Sequence, residues 1–152
     1  MFMRILKVSL LSATCATLAL ACHSSSTPEQ PPPGAQAAAA EKPIPEVTVS
    51  EVERFIADKS ATVLDANDQQ TRKEYGVIPG AVLLASKEYP LSALPASKAE
   101  KLVFYCGGTQ CRASDKAATR ASSAGYSDVH VLRAGIRGWK DAGRAVTPAP
   151  QS

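Results

Sequence analysis

The chain has 152 residues, of which 45% are apolar and 5% aromatic, with 17 basic and 14 acidic side chains. Alanine supplies 26 of the apolar residues, so bulky core side chains are fewer than the apolar fraction suggests. The length fits one folded domain and excludes large barrels and multi-domain enzymes. The net charge of +3, without a Lys/Arg-rich run, excludes nucleic acid as an expected partner.

The first 21 residues have the composition of a signal peptide. Two basic residues precede an uncharged, mostly apolar stretch from 8 to 21, which is shorter than the ~20 residues that a membrane-spanning helix needs. The residues from Leu18 to Cys22 resemble a bacterial lipobox. We therefore expect a lipoprotein-type signal, lipidation at Cys22, and a protein anchored to a membrane on the periplasmic face of the cell envelope. A soluble periplasmic or secreted protein is the alternative.

The segment from 22 to 45 is rich in proline, alanine and serine. Five prolines precede Ile44, and no bulky apolar side chain lies before it. Such a segment buries too little apolar surface to order itself, so we expect a flexible tether. We also expect a flexible tail at 148–152, which leaves 46–147 for the folded domain.

Strand and helix patterns alternate through this domain, which predicts an α/β fold with a mainly parallel sheet. Ligands of such folds bind beyond the carboxyl ends of the strands, next to helix N-termini. In chain order, the predicted elements are a strand at Val47–Val49, a helix opened by a capping box of Ser50 and Glu53, a strand at Ala61–Asp65, a helical turn at Gln69–Tyr75, a strand at Ala81–Leu84, a small helix at Tyr89–Leu94, a strand at Lys101–Tyr105, a helix at Arg112–Ala124 ended by Gly125, a strand at Val129–Leu132 and a helix at Gly135–Ala142.

The loop Cys106–Arg112 follows the most apolar of these strands and opens the alanine-faced helix. Its glycine pair, Gly107 and Gly108, lets the backbone curl so that several N–H groups face one cavity. The helix N-terminus adds partial positive charge, and Arg112 adds a full one. Such a cradle favours the thiolate, the nucleophilic form of cysteine. We therefore predict Cys106 to be a catalytic nucleophile and not an inert buried thiol.

The order and spacing of several motifs resemble the rhodanese homology domain over residues 47–146. The resemblance implies a five-stranded parallel sheet flanked by helices, a persulfide on Cys106, and substrate-anion binding by the loop amides. It implies no cofactor. The motifs are Val63-Leu64-Asp65, Val77-Ile78-Pro79-Gly80-Ala81, the strand, loop and helix around Cys106, and the segment from Val131 to Trp139. The implied binding positions are Gly107, Gly108, Thr109, Gln110, Cys111 and Arg112.

Two departures from the family pattern bear on the site. Asp65-Ala66-Asn67 stands where the family usually has Asp-Val-Arg, so an arginine that often braces the fold is absent. We expect Asp65, at the end of its strand, to support the loop and not to act as an acid. Most sulfurtransferases of the family have a six-residue loop, whereas the Cys-x5-Arg count here is that of the related phosphatases and arsenate reductases. A family variant with Cys-Gly-Gly-x-x-Cys is also similar.

The second thiol of the loop, Cys111, has three interpretations. It resolves a Cys106 persulfide or sulfenate by forming a disulfide, or it tunes the pocket, or it has no chemical role. We expect no metal site, because two cysteines and the distant His130 lack the paired ligand spacing that zinc prefers. His130 is expected on a sheet face, and Trp139 in the core.

These features predict a sulfurtransferase that moves sulfane sulfur from a small anionic donor, such as thiosulfate or polysulfide, through a Cys106 persulfide. The acceptor is a thiol, cyanide or a protein. Two alternatives stay open. One is a phosphatase or arsenate reductase that uses the Cys-x5-Arg loop, and the other is a non-catalytic or redox-sensing sulfur-carrier domain.

Overall fold

The computed structural model describes residues 43–150. The predicted signal peptide, Cys15, Cys22, most of the predicted tether and the last two residues lie outside the described residues. Within this range, none of the helices has the length and apolar character needed to cross a bilayer.

Helices and strands alternate along the described chain, and the strands form one parallel sheet in the order β2-β1-β3-β4. The predicted α/β fold with a parallel sheet flanked by helices is confirmed. The elements are α1 Val49–Ala57, β1 Thr62–Asp65, α2 Gln69–Tyr75, β2 Val82–Leu83, a 3-10 turn at Leu91–Ala93, β3 Leu102–Tyr105, α3 Ala113–Ser123, β4 Val129–Leu132 and α4 Gly135–Asp141.

The sheet has four strands within the described residues, so the expectation of five strands is wrong. The predicted first strand, Val47–Val49, is replaced by an isolated parallel bridge between Glu46 and Val131. The Val47 N–H donates to the Val131 carbonyl at 3.0 Å, and the Val131 N–H donates to the Pro45 carbonyl at 2.9 Å. No ladder extends from this bridge, because the chain turns into α1 directly afterwards.

The start of α1 explains why the bridge stays short. Thr48 is the N-cap residue, and its hydroxyl accepts the Glu51 N–H at 3.3 Å. The Glu51 carboxylate accepts the Thr48 N–H at 2.7 Å, which completes a capping box. The predicted box of Ser50 and Glu53 was therefore placed two residues too late.

The central strands β1 and β3 are covered on both faces. On one face, Leu64 and Phe104 pack against the alanine face of α3 and against Tyr89. On the other face, Val63 and Val103 pack against α1 and α4. Trp139 of α4 belongs to this second cluster, so its predicted place in the core is confirmed. Small alanine side chains let α3 approach the sheet closely, which brings its N-terminus to the end of β3.

The carboxyl ends of the central strands lie level with one another. Asp65 is in register with Tyr105, and Tyr105 is in register with Leu132. The segments that follow β1, β3 and β4 therefore meet at one edge of the sheet, where α/β folds bind ligands.

The segment after α4 returns to the body of the domain. Val77 and Thr147 exchange two backbone N–H···O hydrogen bonds of 2.9 Å each. The indole N–H of Trp139 donates to the Ala145 carbonyl at 2.8 Å. Gly76 adopts a φ of +79° beside this bridge, and a Cβ there would lie 2.9 Å from the Thr147 carbonyl oxygen. The bridge thus ties the end of α2 to the end of the described chain.

Candidate active site

Cys106 is the residue after β3, and its side chain is 1% exposed. Its sulfur is joined to that of Cys111 in a disulfide, with the two Cα atoms 6.2 Å apart, a separation typical of such bonds. The Ser114 hydroxyl lies 3.3 Å from the Cys106 sulfur and is itself buried. The sulfur therefore lies on the floor of the loop, with a second sulfur and a hydroxyl as its immediate partners.

The loop backbone presents a row of unused hydrogen-bond donors. The Cys111 N–H donates to the Gly108 carbonyl at 2.9 Å and closes a turn. The N–H groups of the four residues from Gly107 to Gln110 have no hydrogen-bond acceptor within the described part of the chain. These residues line a pocket of about 800 Å³. Successive free amides in a curled loop form an anion-binding concavity.

The N-terminus of α3 adds to this anion site. The side chain of the N-cap residue, Arg112, does not cap the backbone N–H groups of the first turn. The first N–H groups of a helix lack partners within the helix, and its dipole places about half a positive charge there. Ser114 lies in this first turn, so the helix start and the Cys106 sulfur are adjacent.

The side chain of Arg112 points away from the pocket. It is 72% exposed and forms an ion pair with Asp115 at 3.2 Å. Asp115 is also bound by Arg133 at 2.8 Å, and Arg133 in turn binds Glu46 at 2.6 Å. Arg112 was expected to add its positive charge to the anion-binding loop, but its guanidinium takes part in ion pairs at the surface instead.

A different arginine, Arg137 of α4, lines the pocket. A Cβ placed on Gly108 would lie 3.8 Å from Arg137 Cδ, so the two residues are neighbours. The guanidinium stacks over the ring of Tyr75, 4.8 Å from its centroid. Arg137 takes part in none of the ion pairs found within the described residues. Its charge is therefore available to an anion in the pocket.

Gly135, the first residue of α4, packs directly against the loop. Its φ is +62°, and a Cβ there would lie 2.3 Å from the Cys106 carbonyl oxygen and 2.6 Å from the Gly108 nitrogen. This close approach lets the Ile136 N–H donate to the Cys106 carbonyl at 2.8 Å. Glycine is required here because any side chain would push α4 away from the loop.

Residues 48–142 match the family model for the rhodanese-like domain. The chain belongs to this family. Solved structures of similar fold include the BH2092 protein from Bacillus halodurans, with 21% identity, a TM-score of 0.57, and coverage of 66% of this chain and 74% of that one. No curated protein sequence matches the chain significantly.

Two further solved structures bear on possible activities. One is a protein of unknown function from Rhodopseudomonas palustris, described as a possible tyrosine phosphatase, with 22% identity, a TM-score of 0.55, and coverage of 68% and 84% of the two chains. The other is the human single-domain sulfurtransferase TSTD1, with 21% identity, a TM-score of 0.53, and coverage of 64% and 96%. At these identities the likeness shows the fold alone.

The rhodanese-like domain compensates for its missing family arginine with Arg72. Asp65 is fully buried, and its carboxylate lies 3.4 Å from Arg72 Nε. The Arg72 guanidinium also donates to the carbonyl groups of Asp65 and Leu84, at 3.0 and 2.7 Å. An arginine one turn into α2 thus reaches the aspartate at the end of β1, which supports the expected structural role of Asp65.

The same carboxylate organises the residues beside the loop. It accepts the Tyr105 hydroxyl and the Asn67 N–H, each at 2.7 Å. The Tyr105 oxygen accepts the Ile78 N–H at 3.1 Å. Burial, followed by the charge of Asp65, raises the pKa of Tyr105 well above its usual range. Tyr105 therefore stays protonated. Its hydrogen bonds hold the end of β3 in place, directly before Cys106.

Asn67 lies between this network and the pocket. The residue is 5% exposed, and a Cβ on Gly107 would lie 3.9 Å from its Oδ1. Its Nδ2 is buried and has no hydrogen-bond partner within the described residues. A buried donor without an acceptor is costly, by about 1–3 kcal/mol, so such a group beside a pocket indicates a place for a polar ligand.

Four residues of the site, Asn67, Ser114, Gly135 and Arg137, were not predicted from the sequence. Ser114 lies in the first turn of α3, directly after the loop. In a strand-loop-helix arrangement, side chains of this turn can face the end of the strand, so its position in the sequence could have indicated its contact with Cys106. Gly135 and Arg137 belong to the segment that resembles the family, but no local pattern indicates that they lie beside the loop. Their contacts depend on how α4 packs against the end of β3.

His130 lies far along the sheet from this loop. It sits within β4, and its Nε2 lies 2.5 Å from Asp128, which also pairs with Lys101 at 2.7 Å. Asp128 and Lys101 precede their strands, so this cluster lies at the amino edge of the sheet. Residues 43–150 contain no group of three or more side chains suited to hold a metal ion.

Proposed function

We propose that this rhodanese-like domain is a sulfurtransferase that carries sulfane sulfur as a persulfide on Cys106. The observation that carries the proposal is that the buried Cys106 directly precedes a loop whose free amides, from Gly107 to Gln110, line one pocket. A persulfide anion fits such a cradle because its charge lies on the outer sulfur, one bond beyond the cysteine. The fold shared with a human single-domain sulfurtransferase supports the same activity.

The first half-reaction begins with both loop cysteines reduced. The Cys106 thiolate attacks the outer sulfur of the donor, for example thiosulfate. The sulfur–sulfur bond of the donor breaks, and its electron pair leaves with sulfite. The new persulfide keeps the negative charge, which the loop amides and the N-terminus of α3 stabilise.

In the second half-reaction, an acceptor thiolate or cyanide attacks the outer sulfur of the persulfide. The bond to Cys106 breaks, and its electron pair returns to the Cys106 sulfur as thiolate. The Ser114 hydroxyl, 3.3 Å from that sulfur, donates a hydrogen bond to the thiolate in both halves of the cycle. Donor and acceptor thus meet the enzyme in turn, which gives ping-pong kinetics.

Two residues of the pocket wall recognise the anionic donor. Arg137 supplies a charge without a carboxylate partner, and Asn67 supplies a buried Nδ2 without an acceptor. A guanidinium binds the planar or tetrahedral oxygen array of an oxyanion well. We assign the sulfonate end of thiosulfate, or the charged end of a polysulfide, to this side of the pocket.

A phosphatase or arsenate reductase is the competing activity, because the Cys-x5-Arg count and one structural neighbour point to it. That chemistry requires the loop arginine to bind the oxyanion, whereas Arg112 is 72% exposed and paired with Asp115. It also requires a protonated acid for the leaving group. Asp68 lines the pocket, but hydrogen bonds from Thr71 lower the pKa of its carboxyl group. Sulfur transfer needs neither group.

The test uses the variant Cys111→Ser, in which the loop disulfide cannot form. Reduced protein treated with thiosulfate or polysulfide should gain the mass of one sulfur atom on Cys106, and Cys106→Ser should gain none. Trypsin releases residues 102–112 as one peptide, which localises the added sulfur. Absence of the added sulfur with both donors would show that the proposed activity is wrong.

The alternatives give different results in the same preparation. A phosphatase or arsenate reductase would turn over a phosphoester or arsenate and lose that activity on Arg112→Ala. A non-catalytic sulfur carrier or redox sensor would not turn over, so the unaltered protein and Cys106→Ser would form thiocyanate from cyanide at the same background rate.

We further propose that the domain works in the cell envelope, tethered to a membrane by a lipid on Cys22. The lipobox-like residues before Cys22 support this location. Metabolic labelling with a fatty acid should mark the unaltered protein and not Cys22→Ala. Labelling of Cys22→Ala to the same level would overturn lipidation at Cys22, and no labelling of the unaltered protein would leave the soluble periplasmic or secreted alternative.

A further inference from the structure

The loop disulfide joins Cys106, the proposed persulfide carrier, to Cys111, five residues further along the chain. Cys106 and Cys111 are linked sulfur to sulfur, and the turn closed by the Cys111 N–H and the Gly108 carbonyl brings them together. The loop therefore holds Cys111 within bonding reach of the Cys106 sulfur itself. In the persulfide state, that atom is the inner of the two sulfurs.

We propose that Cys111 releases the carried sulfur as sulfide, so that the domain acts as a persulfide reductase as well as a transferase. This inference rests on the proposed function. The Cys111 thiol gives its proton to the persulfide, and the resulting thiolate attacks the inner sulfur of the Cys106 persulfide and forms the loop disulfide. The bond between inner and outer sulfur breaks, and its electron pair leaves with the outer sulfur as hydrosulfide. The two cysteines are oxidised, and the sulfane sulfur is reduced.

The position of the leaving sulfur favours this step. An outer sulfur bound by the free amides between Gly107 and Gln110, as proposed above for the persulfide, leaves with its negative charge stabilised. Sulfide then leaves through the open pocket that these residues line. Attack on the outer sulfur would only move it to Cys111, and it would not produce the disulfide seen in the structure.

A dithiol is required to restore the two thiols. Cys111 is partly exposed and lines the pocket, whereas Cys106 is 1% exposed. The dithiol therefore attacks the Cys111 sulfur, and the Cys106 thiolate is the leaving group, stabilised by the cradle. The second thiol of the reductant then displaces Cys111 and leaves as a disulfide. The domain would consume a sulfane donor and a dithiol, and would produce sulfide.

The test is a single turnover in buffer free of external thiol. Reduced full-length protein receives one equivalent of thiosulfate. Because the leaving group of thiosulfate is sulfite, any sulfide must be released from the persulfide on Cys106. We expect about one sulfide per chain and a peptide 102–112 that has lost two hydrogens. Cys111→Ser should retain the added sulfur and lose the sulfide burst. If thiosulfate adds no sulfur to the variant, polysulfide is used as the donor instead. The mass of peptide 102–112 then shows whether the added sulfur is retained.

The outcomes separate this inference from the proposed function. If unaltered protein keeps a stable persulfide on Cys106 beside a free Cys111, the sulfide-releasing step is wrong and the transferase stands. If Cys111→Ser gains no sulfur from either donor, the transferase itself fails. Ser122→Ala, an exposed change on α3, serves as the matched control and should behave as the unaltered protein. A Cys111→Ala variant should match Cys111→Ser, which excludes an effect of the new hydroxyl.

Discussion

The ends of the two central strands are neighbours in the sheet, yet they are built in opposite ways. After β1, the Asp65 carboxylate is fully buried and contacts Arg72, Tyr105 and the Asn67 N–H. After β3, the amide donors from Gly107 to Gln110 have no acceptor among residues 43–150. The first strand end uses its polar groups within the fold, whereas the second leaves them for a ligand.

The difference shows how an anion-binding loop is kept in shape before any anion arrives. Unpaired amides do not hold a loop, so neighbouring elements must do it. Tyr105 fixes the residue before the loop through Asp65, and Gly135 fixes the loop backbone through the close approach of α4. Stability and binding are therefore assigned to different residues, and substitutions should separate them.

The largest expected effect is a loss of stability when Asp65, at the end of β1, is replaced. Asp65→Ala leaves the Arg72 charge buried without its partner, which should lower the free energy of unfolding by roughly 3–5 kcal/mol. Urea denaturation measures the loss, with Asp58→Ala, at the exposed end of α1, as a control that changes little. A loss for Asp65→Ala no larger than that control would show that the network does not stabilise the domain.

The contact between α4 and the loop should be nearly as sensitive. Gly135→Ala places a methyl 2.3 Å from the Cys106 carbonyl oxygen, and we expect a loss of about 3 kcal/mol together with lost persulfide formation. Gly143→Ala is the matched control. Its φ of +72° is similar, but nothing lies near its Cβ position, so only a backbone cost of about 1 kcal/mol applies. Equal losses for the two variants would contradict the steric explanation.

A smaller effect should separate the two arginines near the loop. Arg137→Ala removes the unpaired charge in the pocket, and we expect the KM for thiosulfate to rise about tenfold, equivalent to about 1.4 kcal/mol, with kcat little changed. Arg112→Ala removes only a surface ion pair, so its KM should change less than about twofold. Steady-state thiocyanate formation measures both. The reverse order would place the donor at Arg112 and favour an oxyanion-type mechanism.

The smallest expected effect is a decrease in the free energy of unfolding at alkaline pH. Burial raises the pKa of Tyr89 to about 12 and that of Tyr105 further, whereas both titrate near 10.0 in the unfolded chain. The unfolded state therefore releases protons first, and the stabilisation present below pH 10 should be lost as the pH rises toward 12. Tyr105→Phe should flatten this decline in urea midpoints against pH. An unchanged slope would show that Tyr105 ionises normally in the folded protein.

Local patterns predicted much of the fold. The helical turn Gln69–Tyr75 and the strand Val129–Leu132 have the bounds predicted. Apolar residues on either side of His130 mark the strand, whereas the helix is a polar stretch that ends at Gly76. The position of Cys106 at a strand end followed from the apolar strand before it. The strand predicted at Val47–Val49, which the family resemblance also implied, is absent, and the capping box of Thr48 and Glu51 takes its place.

Side-chain direction could not be predicted in the same way. The spacing places Arg112 beside the loop, but its ion pair with Asp115 turns it outward. Nothing in the local sequence connects Arg72 with Asp65, since the pair forms only when α2 packs over the end of β1. Contacts of this kind depend on tertiary packing, which periodicity does not encode.

The hydrogen bonds between Val77 and Thr147 have a practical consequence for anyone who excises this domain for expression. The family match ends at residue 142, whereas backbone pairing continues to Thr147. A chain truncated after Ala142 would lose the acceptor of the Trp139 indole, leaving a buried donor unpaired at a cost of about 1–3 kcal/mol. Expression boundaries and affinity tags should therefore be placed beyond Thr147, where no described pairing would be cut.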